Sequence, residues 1–119
     1  MNVFFDVHGT LISGGAPRPN AREVFQEIEG LGHHLYLWSS AGTGYCAEAA
    51  KVLGLDDIAY GYFSKSGPLP VSVDFVVDDS PHPVEQYGGY QIAMFDGDPQ
   101  DRKLLEVVEA VRQTDGSGL

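Results

Sequence analysis

Positive charge is scarce in this chain: 7 Lys and Arg stand against 17 Asp and Glu, a formal net charge of −10 over 119 residues. That balance argues against a nucleic-acid binder, because a phosphate backbone would on average be repelled. Cysteine is nearly absent. The lone Cys46 has no second cysteine for an internal disulfide, which points to a reducing compartment. Its setting, Tyr45-Cys46-Ala47-Glu48-Ala49-Ala50, reads as helix, where a buried cysteine acts as a small hydrophobe rather than a reactive thiol. Also missing are a basic-then-apolar leader and any apolar run approaching a membrane span. A cytoplasmic location without membrane contact is therefore expected. What is present, 43% hydrophobic and 20% charged residues, suffices for one domain with a single core and no metal or disulfide staple.

Short apolar strands alternate with helical stretches, which predicts an α/β domain with a five-stranded parallel sheet covered on both faces. Strands are expected at residues 2–7, 35–38, 58–63, 73–77 and 90–94. The Gly- and Pro-broken segment 12–19 reads as loop. Asn20 followed by Glu23 forms a capping-box-like start to a helix with Val24, Phe25 and Ile28 on its apolar face. A second helix is expected over residues 43–53, stopped by Gly54. A last one follows Asp98-Pro99, where proline suits the first turn, and runs to residue 113. Residues 1–113 thus make the core and 114–119 a frayed tail.

Five chemistry-bearing residues fall at or just past strand ends: Asp6, Ser39, Lys65, Asp78 and Asp79. In a parallel sheet these ends share one edge, where open α/β folds bind their ligands. Taken one at a time each has a plainer role. Asp78-Asp79-Ser80-Pro81 could start a helix, Ser39 could cap one, and Lys65 could be a solvated lysine. Their shared edge is what argues for a site.

The run Asp6-Val7-His8-Gly9-Thr10 after the first strand, Ser39 after the second, Lys65 before the acidic strand, and Asp78-Asp79 after it resemble, in order, the four motifs of the haloacid dehalogenase-like (HAD) phosphatase superfamily. The resemblance implies a Rossmann-like three-layer domain and a magnesium-dependent phosphatase. Asp6 would attack phosphorus to give an aspartyl-phosphate. Magnesium would be held by Asp6, the His8 backbone carbonyl and the acidic pair, Asp79 being the better direct ligand and Asp78 binding directly or through water. Ser39, Ser40 and the Gly9-Thr10 turn would hold phosphate oxygens, and Lys65 would neutralise nucleophile and phosphate.

His8 departs from the family pattern, which has a second Asp as proton donor there. Histidine, with an ordinary pKa of about 6.5, can both give and take that proton. The alternative is a metal- and phosphate-binding module that does not turn over. A two-component receiver domain is disfavoured, since there the acidic pair would follow the first strand and the acceptor the third. The chain also has no room for a cap domain, so the substrate is expected to be a large or exposed phosphate, or a second subunit to act as lid. Ser13-Gly14-Gly15 and Arg18 read as a mobile surface flap able to reach substrate. His33-His34 reads as a surface pair, Trp38 as core or pocket wall, and His82 as a residue for the site rim.

Overall fold

Side chains of the apolar runs alternate between two buried faces, as a parallel sheet covered on both sides requires. The computed structural model describes residues 1–116. In chain order the elements are β1 (Asn2–Asp6), β2 (Ile12–Ser13), β3 (Ala16–Pro17), α1 (Ala21–Gly30), β4 (His34–Ser39), α2 (Thr43–Leu53), β5 (Gly61–Ser64), β6 (Phe75–Asp78), α3 (Pro81–Tyr87), β7 (Gly89–Gln91) and α4 (Leu105–Asp115). Five of these strands form one parallel sheet in the order β5-β4-β1-β6-β7, while β2 and β3 pair as a small antiparallel hairpin. The architecture is the expected Rossmann-like three-layer α/β domain.

The chain leaves β1 through α1 to β4 and through α2 to β5, then returns to the other side of β1 for β6 and β7. Progression along the sheet therefore reverses between β1 and β6. That reversal opens a crevice at their C-terminal ends. One face of the sheet, including Val3, Phe5, Leu37 and Val77, is buried in the main core with α1, α2 and α4. The other face is a smaller cluster of Phe4, Tyr36, Trp38 and Val76. Its cover is thin: Leu69, Val71 and Val73 from the segment between β5 and β6, and Val84 from α3.

Several local expectations need correction. Segment 12–19 is not a plain loop, because Gly14 and Gly15 both take positive φ and let Ser13 pair back onto Ala16. Asn20 does not cap α1 with its side chain: its backbone is left-handed (φ 72), and its amide nitrogen reaches the Glu23 carboxylate at 3.5 Å instead. The third strand begins three residues late, since Ile58 closes a turn onto Leu55. The fifth is shorter than expected and ends at Gln91. A short helix, α3, follows Ser80 with Pro81 at its start, as the plainer reading of Asp78-Asp79-Ser80-Pro81 allows. The last helix begins at Leu105 rather than just after Pro99. It continues through Thr114 and Asp115, two residues of the expected tail, while residues 117–119 lie outside the described residues. His33 is no surface residue: it is 7% exposed, and its ring joins the Met1 amine and the Asp115 carboxylate. His34 is exposed and stacks on Tyr60.

Candidate active site

Strand alternation assembles the site. Phe4 and Asp6, Tyr36 and Trp38, and Val76 and Asp78 are pairs two residues apart within strands, so each pair points to one face, and Lys65 follows Phe63 by two residues in the turn just past β5. The first member of each belongs to the smaller core cluster or packs against it. The second therefore reaches the sheet edge on that same face. A polar residue two places beyond an apolar one is thus delivered beside its neighbours, with the apolar cluster as floor.

Lys65 is the hub. Its ammonium donates to Asp6 Oδ1 at 2.9 Å and to Asp78 Oδ2 at 2.8 Å and lies 5.7 Å over the Trp38 ring. Asp78 is fully buried and takes the Ser80 backbone N–H on its other oxygen at 2.9 Å. The Thr10 hydroxyl lies 3.3 Å from Asp6 Oδ2 and 3.4 Å from Asp79 Oδ1. One carboxylate oxygen from each of Asp6, Asp78 and Asp79 lies within 4.8 Å of the other two.

Electrostatics follow from crowding and burial. Burial, partly offset by Lys65, raises the Asp6 carboxyl to about 6, with the neighbouring Asp78 and Asp79 pushing the same way. Burial works against the charged form of Lys65, but its bonds to Asp78 and Asp6 outweigh that and hold its ammonium above the ordinary value. Burial also pushes the Cys46 thiol up to about 11, with the Asp6 charge adding to it. This is the inert buried cysteine expected from its helix. The Tyr45 phenol is raised by burial first and by the Asp6 charge second.

The loop after β1 is held rigidly. The Val7 carbonyl accepts from the backbone N–H groups of Thr10, Leu11 and Ile12, and Gly9 N–H reaches the Ile12 carbonyl at 2.7 Å. Gly9 has φ 83, and a Cβ there would come within 2.8 Å of an Asp79 carboxylate oxygen. The left-handed backbone is what calls for glycine here, while a larger residue would also push on the Asp79 carboxylate. The Gly9 carbonyl takes the Phe95 N–H at 2.8 Å, and the Thr10 carbonyl takes a guanidinium N–H of Arg18.

Arg18 overturns its reading as a flap residue facing substrate. It is 2% exposed, makes a two-pronged ion pair with Asp101 at 3.0 Å on both prongs, and donates to Ala93 and Thr10 carbonyls. Pro17 and Pro19 flank it, so their fixed backbone presents the guanidinium inward. The contribution of Arg18 is to position the Thr10 loop, and Asp101 is its counter-ion. Sequence reasoning missed both, since the pairing joins positions 83 residues apart.

The remaining expected residues are divided. Ser39 is buried at the edge, but its hydroxyl accepts the Ala41 N–H at 3.0 Å, while its carbonyl takes the Lys65 N–H. Ser40 is exposed. The His8 side chain is exposed and, among the described residues, has no hydrogen bond to Asp6, Asp78 or Asp79. It borders instead a cleft of about 390 Å³ between the hairpin tip at Gly14-Gly15 and the Tyr45, Glu48 and Val52 side of α2. A smaller cleft of about 230 Å³ is bordered by Lys65, Trp38, Tyr87 and His82. Trp38 and His82 thus do border the site. The Trp38 indole N–H is buried without a hydrogen-bond partner among the described residues.

Comparison with known proteins adds the fold and stops there. No protein-family model matches the chain, and no curated protein matches it. Among solved structures it is similar to that of an uncharacterized protein from Listeria monocytogenes serotype 4b, with a TM-score of 0.68 over 97% of this chain and 98% of that one. The two are 13% identical, so the likeness speaks for the shared architecture alone. Among the described residues no helix is long and apolar enough to cross a membrane.

Proposed function

We propose that the chain is a magnesium-dependent phosphoric-ester hydrolase of the HAD type, with Asp6 as nucleophile. The observation that carries this reading is the meeting of three carboxylates within 4.8 Å at the switch point of the sheet, with Lys65 bonded to two of them. Oxygen donors without His or Cys suit magnesium rather than zinc. One ammonium against three carboxylates also leaves surplus negative charge for a divalent cation to offset. Asp6 and Asp79 would hold magnesium, with Asp78 directly or through water and the His8 carbonyl as a further donor. Bound there, the ion supplies charge neutralisation and polarises a phosphoryl oxygen.

The protein's own groups do the rest. Asp6 attacks phosphorus, the bond to the ester oxygen breaks, and an aspartyl-phosphate forms on Asp6. Its carboxyl, raised to about 6, is still largely ionised at pH 7. Thr10 fixes its orientation. Lys65 neutralises charge on the nucleophile and the transferred group. Ser39, Ser40 and the backbone of the Gly9-Thr10 turn hold phosphate oxygens. His8 gives a proton to the departing oxygen and then takes one from the water that cleaves the aspartyl-phosphate.

One observation favours the rival reading, a binding module that keeps the metal and phosphate sites without turnover: His8 is exposed and unbonded to the carboxylates. A phosphatase assay with magnesium on the parent, Asp6→Asn and His8→Asp separates the two. Activity in the parent that Asp6→Asn abolishes supports the hydrolase, whereas a silent parent awakened by His8→Asp supports the module. Absence of turnover in all three, with no calorimetric magnesium binding and no beryllium fluoride adduct on Asp6, would falsify the site.

A further inference from the structure

We propose that the cleft beside His8 receives the leaving group of the substrate, and that this group is apolar and carries no negative charge. The inference rests on the hydrolase reading above and adds the substrate class to it. A residue that protonates the departing oxygen must stand beside it, so the body of the leaving group occupies whatever space His8 borders. That space is the cleft of about 390 Å³, within the range of small-molecule sites. Its walls are Ile12 and the glycine tip of the hairpin on one side, and Tyr45, Ala49 and Val52 of α2 on the other. His8, two residues beyond Asp6, joins this cleft to the loop that carries the nucleophile.

Charge decides the rest. Glu48 is the acidic group on these walls. It is 77% exposed, its nearest cation is Lys51 at 3.7 Å, and the whole chain carries −10. A second phosphate or a carboxylate on the leaving group would be repelled here, whereas an aromatic, aliphatic or cationic group would not. The smaller cleft has the opposite character, since Lys65 forms part of its wall. Two glycines at the hairpin tip, with nothing within 4 Å of where a Cβ would stand, leave the entrance open to bulky groups.

The test uses three phosphate donors: phenyl phosphate, 4-carboxyphenyl phosphate, and acetyl phosphate, whose acetate leaving group is too small to reach the far wall of the cleft. Variants are Val52→Trp and Glu48→Arg, both at exposed helix positions outside the reacting groups. The parent should prefer phenyl over carboxyphenyl phosphate by about threefold in kcat/KM, mostly through KM, and Glu48→Arg should erase most of that gap. Val52→Trp should raise KM for phenyl phosphate by about tenfold and leave acetyl phosphate nearly unchanged. If neither variant alters the ratios while acetyl phosphate is still hydrolysed, the cleft assignment is overturned and the hydrolase reading stands. Should the protein not turn over, phenylphosphonate with magnesium is titrated by NMR. Shifts of Tyr45 and Ala49 signals that Val52→Trp abolishes support the cleft. Shifts confined to the Trp38 indole place the ligand in the smaller cleft and overturn it. No binding at all sinks both readings together.

Discussion

Two clusters of buried charge stand about the loop that follows β1, and they are built on opposite plans. Arg18 and Asp101 are bonded on both prongs, two further guanidinium N–H groups go to backbone carbonyls, and Lys103 stands 3.9 Å from the same carboxylate. Burial alone would raise the Asp101 carboxyl, but Arg18 and the Lys103 N–H hold it below the ordinary range. At Lys65 one ammonium faces three carboxylates, and Asp6 is raised to about 6. A cluster with satisfied charge is scaffold. A cluster left with surplus charge of one sign could hold a cation, and strongly shifted groups are often found at functional sites.

The comparison breaks most visibly at the scaffold. Arg18→Met strands Asp101 and two backbone carbonyls in the interior, so urea denaturation should show a loss of about 3–5 kcal/mol. A loss below about 1 kcal/mol would mean that the pair is ornamental.

Next comes the ligand. Magnesium at a hundredfold excess over its Kd should stabilise the parent by about 2.7 kcal/mol, read as a rise in Tm, and should do nothing for Asp79→Asn. Equal stabilisation of both proteins would remove Asp79 from the metal site.

The two clusters should also answer pH in opposite senses. Asp101 has a depressed pKa, so its contribution is present above the unfolded value of about 3.8 and lost only as pH falls below it. Asp6 has a raised one. The stability linked to it is full below about 3.8 and is lost as pH rises through about 6. Without metal, Asp6→Asn should therefore gain roughly 1–3 kcal/mol at pH 7 and nothing at pH 3.5. A pH-independent gain would point to packing rather than charge.

The smallest effect belongs to the exposed pair of Arg22 and Asp57, bonded on two prongs at 2.7 and 2.9 Å. Arg22→Ala should leave the midpoint of urea denaturation within error, since water and salt screen both partners. A clear drop would show that prong geometry, not burial, explains the Arg18 result.

Much of this arrangement was legible in the sequence because period-two alternation and loop chemistry are local. The helix over residues 43–53 appeared with its expected bounds, closed by Gly54 in the left-handed conformation. Asp6, Thr10, Lys65, Asp78 and Asp79 came together as strand ends of a parallel sheet predict. Ser39 arrived at the edge with its hydroxyl turned to the Ala41 N–H, because a short turn follows it at once. Arg18 was misread for a different reason. A charged residue between two prolines in a glycine-rich segment carries no local sign of burial, and its partner at Asp101 is brought up only by the chain beyond β7. His33 was misread in the same way, its Asp115 partner being 82 residues on.

The sequence by itself determined the parallel sheet, the edge on which the chemistry gathers and the shortage of cations around it, for these follow from short-range pattern and charge count. Only the tertiary structure decided which charges are spent. It paired Arg18 with Asp101, left three carboxylates to one lysine, and set His8 at the border of a cleft. The physical reason is that burial and partnership are properties of neighbours in space, and these neighbours come from distant strands, loops and helices.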